Sequence, residues 1–441
     1  MSKTQTKVVV LAKERTLWER FRLNALSHIY AQFITIFSQL AVVPFFLKNW
    51  GAPTYAEWLV LASLPNILVL LDFGISQASS NAAIVASAKH TTEHAKAPLQ
   101  TAFVFTLIVC LVLLLGANAV SIHFDLTYIF RLNEISRADA NTTFIFLILY
   151  LCANMLGGNI DAWFRVHDRT ALGGFLFANR RLVDICVTIG VLSLDGSPKT
   201  LAIYLAISQF VVLLGIVFLL VYLHGSKNLG FRHASLQEFK VLFWPSTAYL
   251  GFPLAQAVTL QGGIQMLHAV ADPNTLVAYS MARTLMRLVI QLGVISNNAL
   301  KPELSRLIGL GRSAQARAFT RRSSVIVSTI SILCFGILTA FSTNILNIWS
   351  QGLVHLDRTS AFLIGIHAVI NVLWYIPASF LIASNRHTLI APAYCASSII
   401  TIMFWFFMQD SFDPLIGASL LLAIPEITTL LILVSQIKIK A

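Results

Sequence analysis

Arg283, Arg287 and Gln291 recur every fourth residue inside one long apolar stretch. That spacing puts all three on one helical face, as a cationic stripe. Two like charges one turn apart destabilise a helix by about 0.2–0.5 kcal/mol. In a bilayer an arginine at the helix centre costs roughly 2.5–3.5 kcal/mol on insertion scales. The stripe therefore needs an anionic ligand in a water-filled cavity, or acidic partners such as Asp72 or Asp161 on other helices. Arg181 has no acidic residue four positions away and is a further candidate for the same cavity. Asp161 with Arg165, and Arg180 with Asp184, stand four residues apart and read as local pairs.

A second, uncharged pattern accompanies the stripe. His28, Gln32, Thr35 and Gln39 fall on one face of the first apolar stretch. Gln261, Gln265 and His268, with Gln256 and Thr259 a turn earlier, mark the seventh. Amides on such faces either line a cavity or bond neighbouring helices at about 0.6–2 kcal/mol each. Asp72 lies near the inner boundary of the second stretch, beyond Pro65.

These side chains must be positioned by membrane helices. The chain is 57% hydrophobic and 11% charged, and its apolar runs are too long and continuous for a soluble fold. About twelve spans are expected, near 25–47, 55–84, 99–122, 142–165, 171–194, 200–223, 241–268, 274–298, 324–345, 360–384, 388–409 and 412–436. The linkers are too short for a soluble catalytic domain. Lysines and arginines gather on the side that holds both termini, as the positive-inside rule requires of a cytoplasmic face. The net charge of +12 is thus topology, and no nucleic-acid partner is implied.

The most polar central linker divides the chain into a cytoplasmic segment 1–24, a six-helix bundle 25–225, a linker 226–240 and a second bundle 241–441. Weak similarity between the halves fits two bundles around a central cavity. The fold class expected is an all-α integral membrane protein. Hydrophobic and basic residues alternate over Val8–Arg22, as in an interfacial helix. Cys110, Cys152, Cys186, Cys334 and Cys395 all fall inside spans without a C-x-x-C, so neither a disulfide framework nor a zinc site follows. His90 and His94 read as solvated linker histidines, and no cofactor is expected.

One stretch carries a family resemblance. The run Trp50-Gly51-Ala52-Pro53-Thr54-Tyr55-Ala56-Glu57-Trp58, followed by Leu71-Asp72-Phe73-Gly74-Ile75-Ser76 and Asn81, resembles the first helical pair of Wzx-type flippases. These are polysaccharide exporters of the multidrug/oligosaccharidyl-lipid/polysaccharide (MOP) superfamily. The run from Arg169 to Arg180 is similar to their fourth-to-fifth helix connection, while Ala56 departs from the usual glycine. The resemblance implies a bacterial inner-membrane flippase for an undecaprenyl-diphosphate-linked oligosaccharide, such as an O-antigen unit. Arg283, Arg287 and Arg181 would then meet the diphosphate. Gln291, Gln32, Gln39 and Gln261 would serve the ligand's polar groups, and Asp72, Asp161 and His28 would be candidates for ion coupling. Membrane lipids and the pathway's polymerase and ligase are the implied partners.

Two rivals keep the span count. A drug/cation antiporter of the same superfamily would favour buried carboxylates and aromatic pockets over arginines. An integral-membrane polymerase or ligase would need a large outer loop, and the 123–141 segment with His123, Arg131, Glu134 and Arg137 is too small for one. The chain is therefore expected to be a transporter and not an enzyme.

Overall fold

The computed structural model describes residues 17–89, 95–167, 169–225, 230–247, 251–309, 312–383, 390–408 and 413–439. Most of the expected interfacial helix, together with His90 and His94, lies outside these residues.

The first half holds α1 (Leu17–Ala41), α2 (Val43–Leu68), α3 (Ile75–Lys89), α4 (Lys96–His123), the short α5 (Leu126–Phe130), α6 (Arg137–Val166), α7 (Thr170–Ser193) and α8 (Pro198–His224). In the second half are α9 (Leu236–Thr247), α10 (Gly251–Gln256), a π turn (Ala257–Gln261), α11 (Gly262–Val270) and α12 (Pro273–Gly309). They are followed by α13 (Ser313–Ala340), α14 (Ser342–Trp349), α15 (Arg358–Ala383), α16 (Ile390–Met408) and α17 (Pro414–Ile439). Each expected span has a helical counterpart. The protein is an all-α, multi-pass membrane protein.

Two bundles form. In the first, α6 packs against α3, α4, α7 and α8, with α1 lying on α7. In the second, α15 packs against α12, α13 and α17, while α16 covers α17 and α10. The bundles meet where α2 packs on α11, α12 and the π turn. One apolar core runs through this junction, taking in Trp58 and Leu61 of α2, Leu147 of α6, and Tyr279 and Met286 of α12. Helix α9 begins inside the 226–240 stretch and packs on α3 and α4 of the first bundle.

Among the described residues seven segments are long and apolar enough to cross a membrane: 29–72, 96–123, 137–166, 198–224, 313–340, 358–381 and 414–435. Charge interrupts two of the remaining helices. Arg180, Arg181 and Asp184 do so in α7, and Arg283 and Arg287 in α12. The described part of the seventh span comprises the end of α9, then α10, the π turn and α11. Helix α12, at 37 residues, extends about 55 Å and outruns a bilayer core of about 30 Å.

The second expected span is not one helix. After Leu68 the chain tightens into a 3₁₀ turn over Val69–Asp72, then takes left-handed conformations at Phe73 (φ 50°) and Gly74 (φ 71°) before α3 starts. Asp72 caps α3 across this break, accepting the Ser76 hydroxyl at 2.8 Å and its amide at 3.2 Å. Within α2 a second reversal occurs at Gly51, whose φ of 70° suits a residue without Cβ. The rings of Phe46, Trp50, Tyr55 and Trp58 close around it, with Phe46 and Tyr55 stacked at 4.8 Å.

We call the end opposite the start of α1 and the end of α17 the far end. There the buried Glu57 carboxylate accepts the backbone amides of Asn133, Glu134 and Ile135 at 2.5, 2.8 and 2.9 Å. This clamp fixes the α5–α6 connection. Asp125 and Asp272 cap α5 and α12, and hydrogen bonds from Thr127 and Thr275 hold both carboxyls below the ordinary carboxylate range.

Candidate anion site between the two bundles

Arg283 and Arg287 lie one turn apart on α12, as their spacing requires. Arg283 is half-buried. Its Nη1 donates to the Leu260 carbonyl of the π turn at 2.5 Å, and its guanidinium lies 5.5 Å from the Tyr279 ring centroid. Arg287 is exposed and hydrogen-bonds to nothing among the described residues. Arg181, on α7 of the other bundle, is also exposed, and its Nη1 donates to the Thr35 hydroxyl of α1. Arg283 and Arg181 both act on Arg287 through their charge. Arg287 is thus within electrostatic reach of a guanidinium group from each bundle, and we call the space around it the candidate site.

The acidic partners offered as an alternative are engaged elsewhere. Asp161 pairs with Arg165 on its own helix. Asp72 is occupied by Ser76, which in turn accepts from Asn159 at 3.2 Å; Asn159 also donates to Thr106 at 2.9 Å. Among the described residues no carboxylate lies within ion-pair distance of Arg181, Arg283 or Arg287. A cluster of like charges without counter-ions is repulsive, and a bound anion relieves it.

Not every amide from the two polar faces reaches this space. Gln32 and Gln261 are half-buried and make no hydrogen bond among the described residues. Gln291 is buried, and its Oε1 has no partner among the described residues. The side chains of His28 and Gln39 lie outside the described residues.

The expected local pair of Arg180 and Asp184 takes a different form. Gln209 of α8 stands between them, accepting from Arg180 Nε at 2.6 Å and donating to Asp184 Oδ1 at 2.6 Å. Tyr150 adds a bond to Asp184 at 2.8 Å. Both side chains lean towards α8, so the i,i+4 spacing alone does not bring them into contact. Arg180 is buried in the first bundle, with its Nη1 against Gly157.

The described hydrogen bonds between the bundles lie in the far half. Gln265 of α11 donates to the Val60 carbonyl at 3.0 Å and the Ser63 hydroxyl at 2.6 Å. His268 meets the Phe130 carbonyl at 2.8 Å, and Arg131 donates to the Ala269 carbonyl at 2.6 Å. Trp349 donates to the Leu40 carbonyl at 2.7 Å. Gln265 and His268 therefore form a seam that closes the far end.

Sequence reasoning missed Glu426. It lies fully inside the second bundle, where Asn371, Trp374 and Tyr394 donate to it. The signal was present, since Glu426 is the sole acidic residue of α17.

No family profile and no curated relative matches the chain in sequence. Solved structures do match its fold. An inward-facing multidrug resistance MATE family transporter of the MOP superfamily aligns with a TM-score of 0.69 and 11% identity, over 97% of this chain and 96% of that one. The lipid II flippase MurJ, in an inward closed conformation, aligns at 0.68 and 13% identity, over 94% and 87%. An outward-facing MATE family structure aligns at 0.62 and 11% identity, over 96% of each chain. The chain has the twelve-helix, two-bundle fold of MOP-superfamily transporters.

Proposed function

We propose that this protein is a flippase that carries an undecaprenyl-diphosphate-linked oligosaccharide, such as a surface-polysaccharide repeat unit, across a bacterial inner membrane. The observation that carries this reading is the charge of Arg181 and Arg283 bearing on Arg287 without a carboxylate at ion-pair distance among the described residues. A diphosphate supplies the missing negative charge, and guanidinium groups hold its oxygens in paired hydrogen bonds. Gln32 and Gln261 offer amides for sugar hydroxyls. With both termini cytoplasmic, the far end is the outer one, and the hydrogen bonds of Gln265, His268, Arg131 and Trp349 close the site towards the outside. Separating them lets the same site face outward, so the bundles alternate about a fixed site.

A drug/cation antiporter is the second reading, favoured by the multidrug transporters that share the fold. Three arginines with no carboxylate at ion-pair distance among the described residues would repel a cationic drug, which weighs against it.

The test uses purified full-length protein in liposomes with a fluorescent undecaprenyl-diphosphate sugar. Loss of inner-leaflet signal to a membrane-impermeant quencher reports flipping. In cells, deletion should remove surface polysaccharide while lipid-linked units stay on the inner leaflet. Units already exposed outside in the deletion strain, or transport of an organic cation in place of the lipid, would overturn the assignment.

A further inference from the structure

A second polar centre lies inside the C-terminal bundle. A cavity of about 190 Å³ is lined by Gln256, Thr259 and Leu260 of α10 and the π turn, and by His367 and Asn371 of α15. Tyr394 of α16 and Glu426 of α17 complete its polar wall, and Trp374 and Tyr375 also line it. Glu426 is 4% exposed. Its Oε2 accepts from Trp374 Nε1 at 2.5 Å and its Oε1 from the Tyr394 hydroxyl at 2.9 Å, while Asn371 Nδ2 spans both oxygens at 3.1 and 3.2 Å. Among the described residues no cation lies within ion-pair distance of it.

A buried carboxylate without a counter-ion is costly, and apolar packing would tie α15, α16 and α17 together more cheaply. The donor set indicates what the carboxyl is for. Trp374 Nε1 and Asn371 Nδ2 can only donate, and they point their hydrogens at the oxygens where a metal ion would need lone pairs. The Tyr394 hydroxyl can either donate to an ionised carboxylate or accept from a protonated one. The network therefore accommodates both charge states of a proton-binding group and is poorly suited to a metal.

The cavity wall leads directly to the far-end seam. Leu260 lines the cavity and its carbonyl holds Arg283, and α11 follows the π turn with Gln265 and His268. π turns are adjustable irregularities in a helix and recur at functional positions.

We propose that Glu426 is a proton-binding site that controls the far-end seam through the π turn. The inference builds on the reading of the protein as a transporter, but it does not depend on the cargo. Three donors favour the ionised carboxylate, and they are assembled here together with a closed seam. By linkage, protonation favours the state in which they separate, so acid opens the far end. The other ionisable groups facing the cavity are His367 and Tyr375 on α15 and Tyr394 on α16. Arg283 reaches the π turn from α12, α10 and the π turn carry no ionisable group, and His268 of α11 is held at Phe130.

The experiment places spin labels on the full-length chain in liposomes, after replacement of its five cysteines. Tyr128→Cys on the first bundle and Ile348→Cys on the second are 84% and 79% exposed at the far end. The distance between the labels is measured from about pH 8 to about pH 5, a range that includes titration of carboxyl and imidazole groups. No cargo is added, so failure here leaves the arginine site standing, and failure of the cargo reading leaves this result intact. Acid should shift the population to longer distances. Glu426→Gln should show the acid distribution at every pH, and Tyr394→Phe, which removes one donor to the carboxylate, should move the midpoint to higher pH. Four results would overturn the proposal: no pH response in the parent chain, an unchanged response in Glu426→Gln, an unmoved midpoint in Tyr394→Phe, or a response abolished by His367→Gln. A shift driven by sodium at constant pH would overturn it too, in favour of a metal ion.

Discussion

Arg283 donates to the Leu260 carbonyl at 2.5 Å, which ties one guanidinium of the candidate anion site to the π turn. Arg287, one turn further on, is exposed and carries no such bond. The two arginines share a helix face and differ in attachment, so their variants should behave differently.

Arg287→Gln should keep normal protein levels and thermal stability, because Arg287 makes no hydrogen bond among the described residues. It should weaken binding of a diphosphate lipid about 10- to 150-fold, the effect of losing one charged hydrogen bond worth about 1.5–3 kcal/mol. Arg287→Lys should recover part of that loss. Isothermal titration with an undecaprenyl-diphosphate sugar checks both, and unchanged affinity in Arg287→Gln would remove this residue from the site.

Arg283→Gln should reduce the same affinity and in addition release the π turn. The expected signature is faster hydrogen exchange over 257–261, absent in Arg287→Gln. Equal exchange in the two variants would show that the bond to Leu260 does not restrain the turn.

Glu57→Ala should destabilise the protein, since it leaves three backbone amides of the α5–α6 connection, that of Ile135 buried, without their acceptor. A single hydrogen bond to a charged group contributes about 1.5–3 kcal/mol, so the loss should exceed that of an ordinary surface substitution several-fold. Thermal unfolding in detergent measures it.

Gln265→Ala removes two hydrogen bonds across the far-end seam and His268→Ala removes one, and each bond is worth about 0.5–1.5 kcal/mol. Each bond lost should shift the closed-to-open ratio about 2- to 12-fold towards open. The distance between spin labels at Tyr128→Cys and Ile348→Cys in the cysteine-free chain reports the change, with a larger long-distance population expected in both variants.

Gly157→Ala tests the close approach of α6 and α7. A Cβ there would stand 1.9 Å from Arg180 Nη1 and 3.1 Å from its Cζ. Arg180 is buried and held by Gln209 and the Ala153 carbonyl, so it has little room to move. Overpacking of this kind costs about 1–3 kcal/mol, readable as a lower midpoint of thermal unfolding.

Much of the architecture follows from the order of residues alone. Apolar runs of bilayer length, separated by short polar linkers, require membrane helices because the backbone must satisfy its own hydrogen bonds in lipid. The four-residue spacing of Arg283, Arg287 and Gln291 places them on one face of α12 whatever the surroundings, since that is a property of helix geometry. Pairing of Asp161 with Arg165 also needs only one helix, and it is present.

Contacts between helices were decided by tertiary structure. Arg181 meets the charge of Arg287 from over a hundred residues away, across two bundles, and no local pattern encodes that approach. The Arg180–Asp184 pair is separated by Gln209 because α8 packs beside α7 and offers an amide with both a donor and an acceptor. The break at Phe73 and Gly74 lay inside what hydropathy shows as one span, since hydropathy records burial and carries no information on φ. Glu426 was visible as a lone acid in an apolar run, but its three donors come from α15 and α16, which only packing brings to α17. Sequence determined which faces had to be polar, because helix geometry and the bilayer act on each segment by itself. The fold decided which polar groups meet, because that depends on how separate helices pack together.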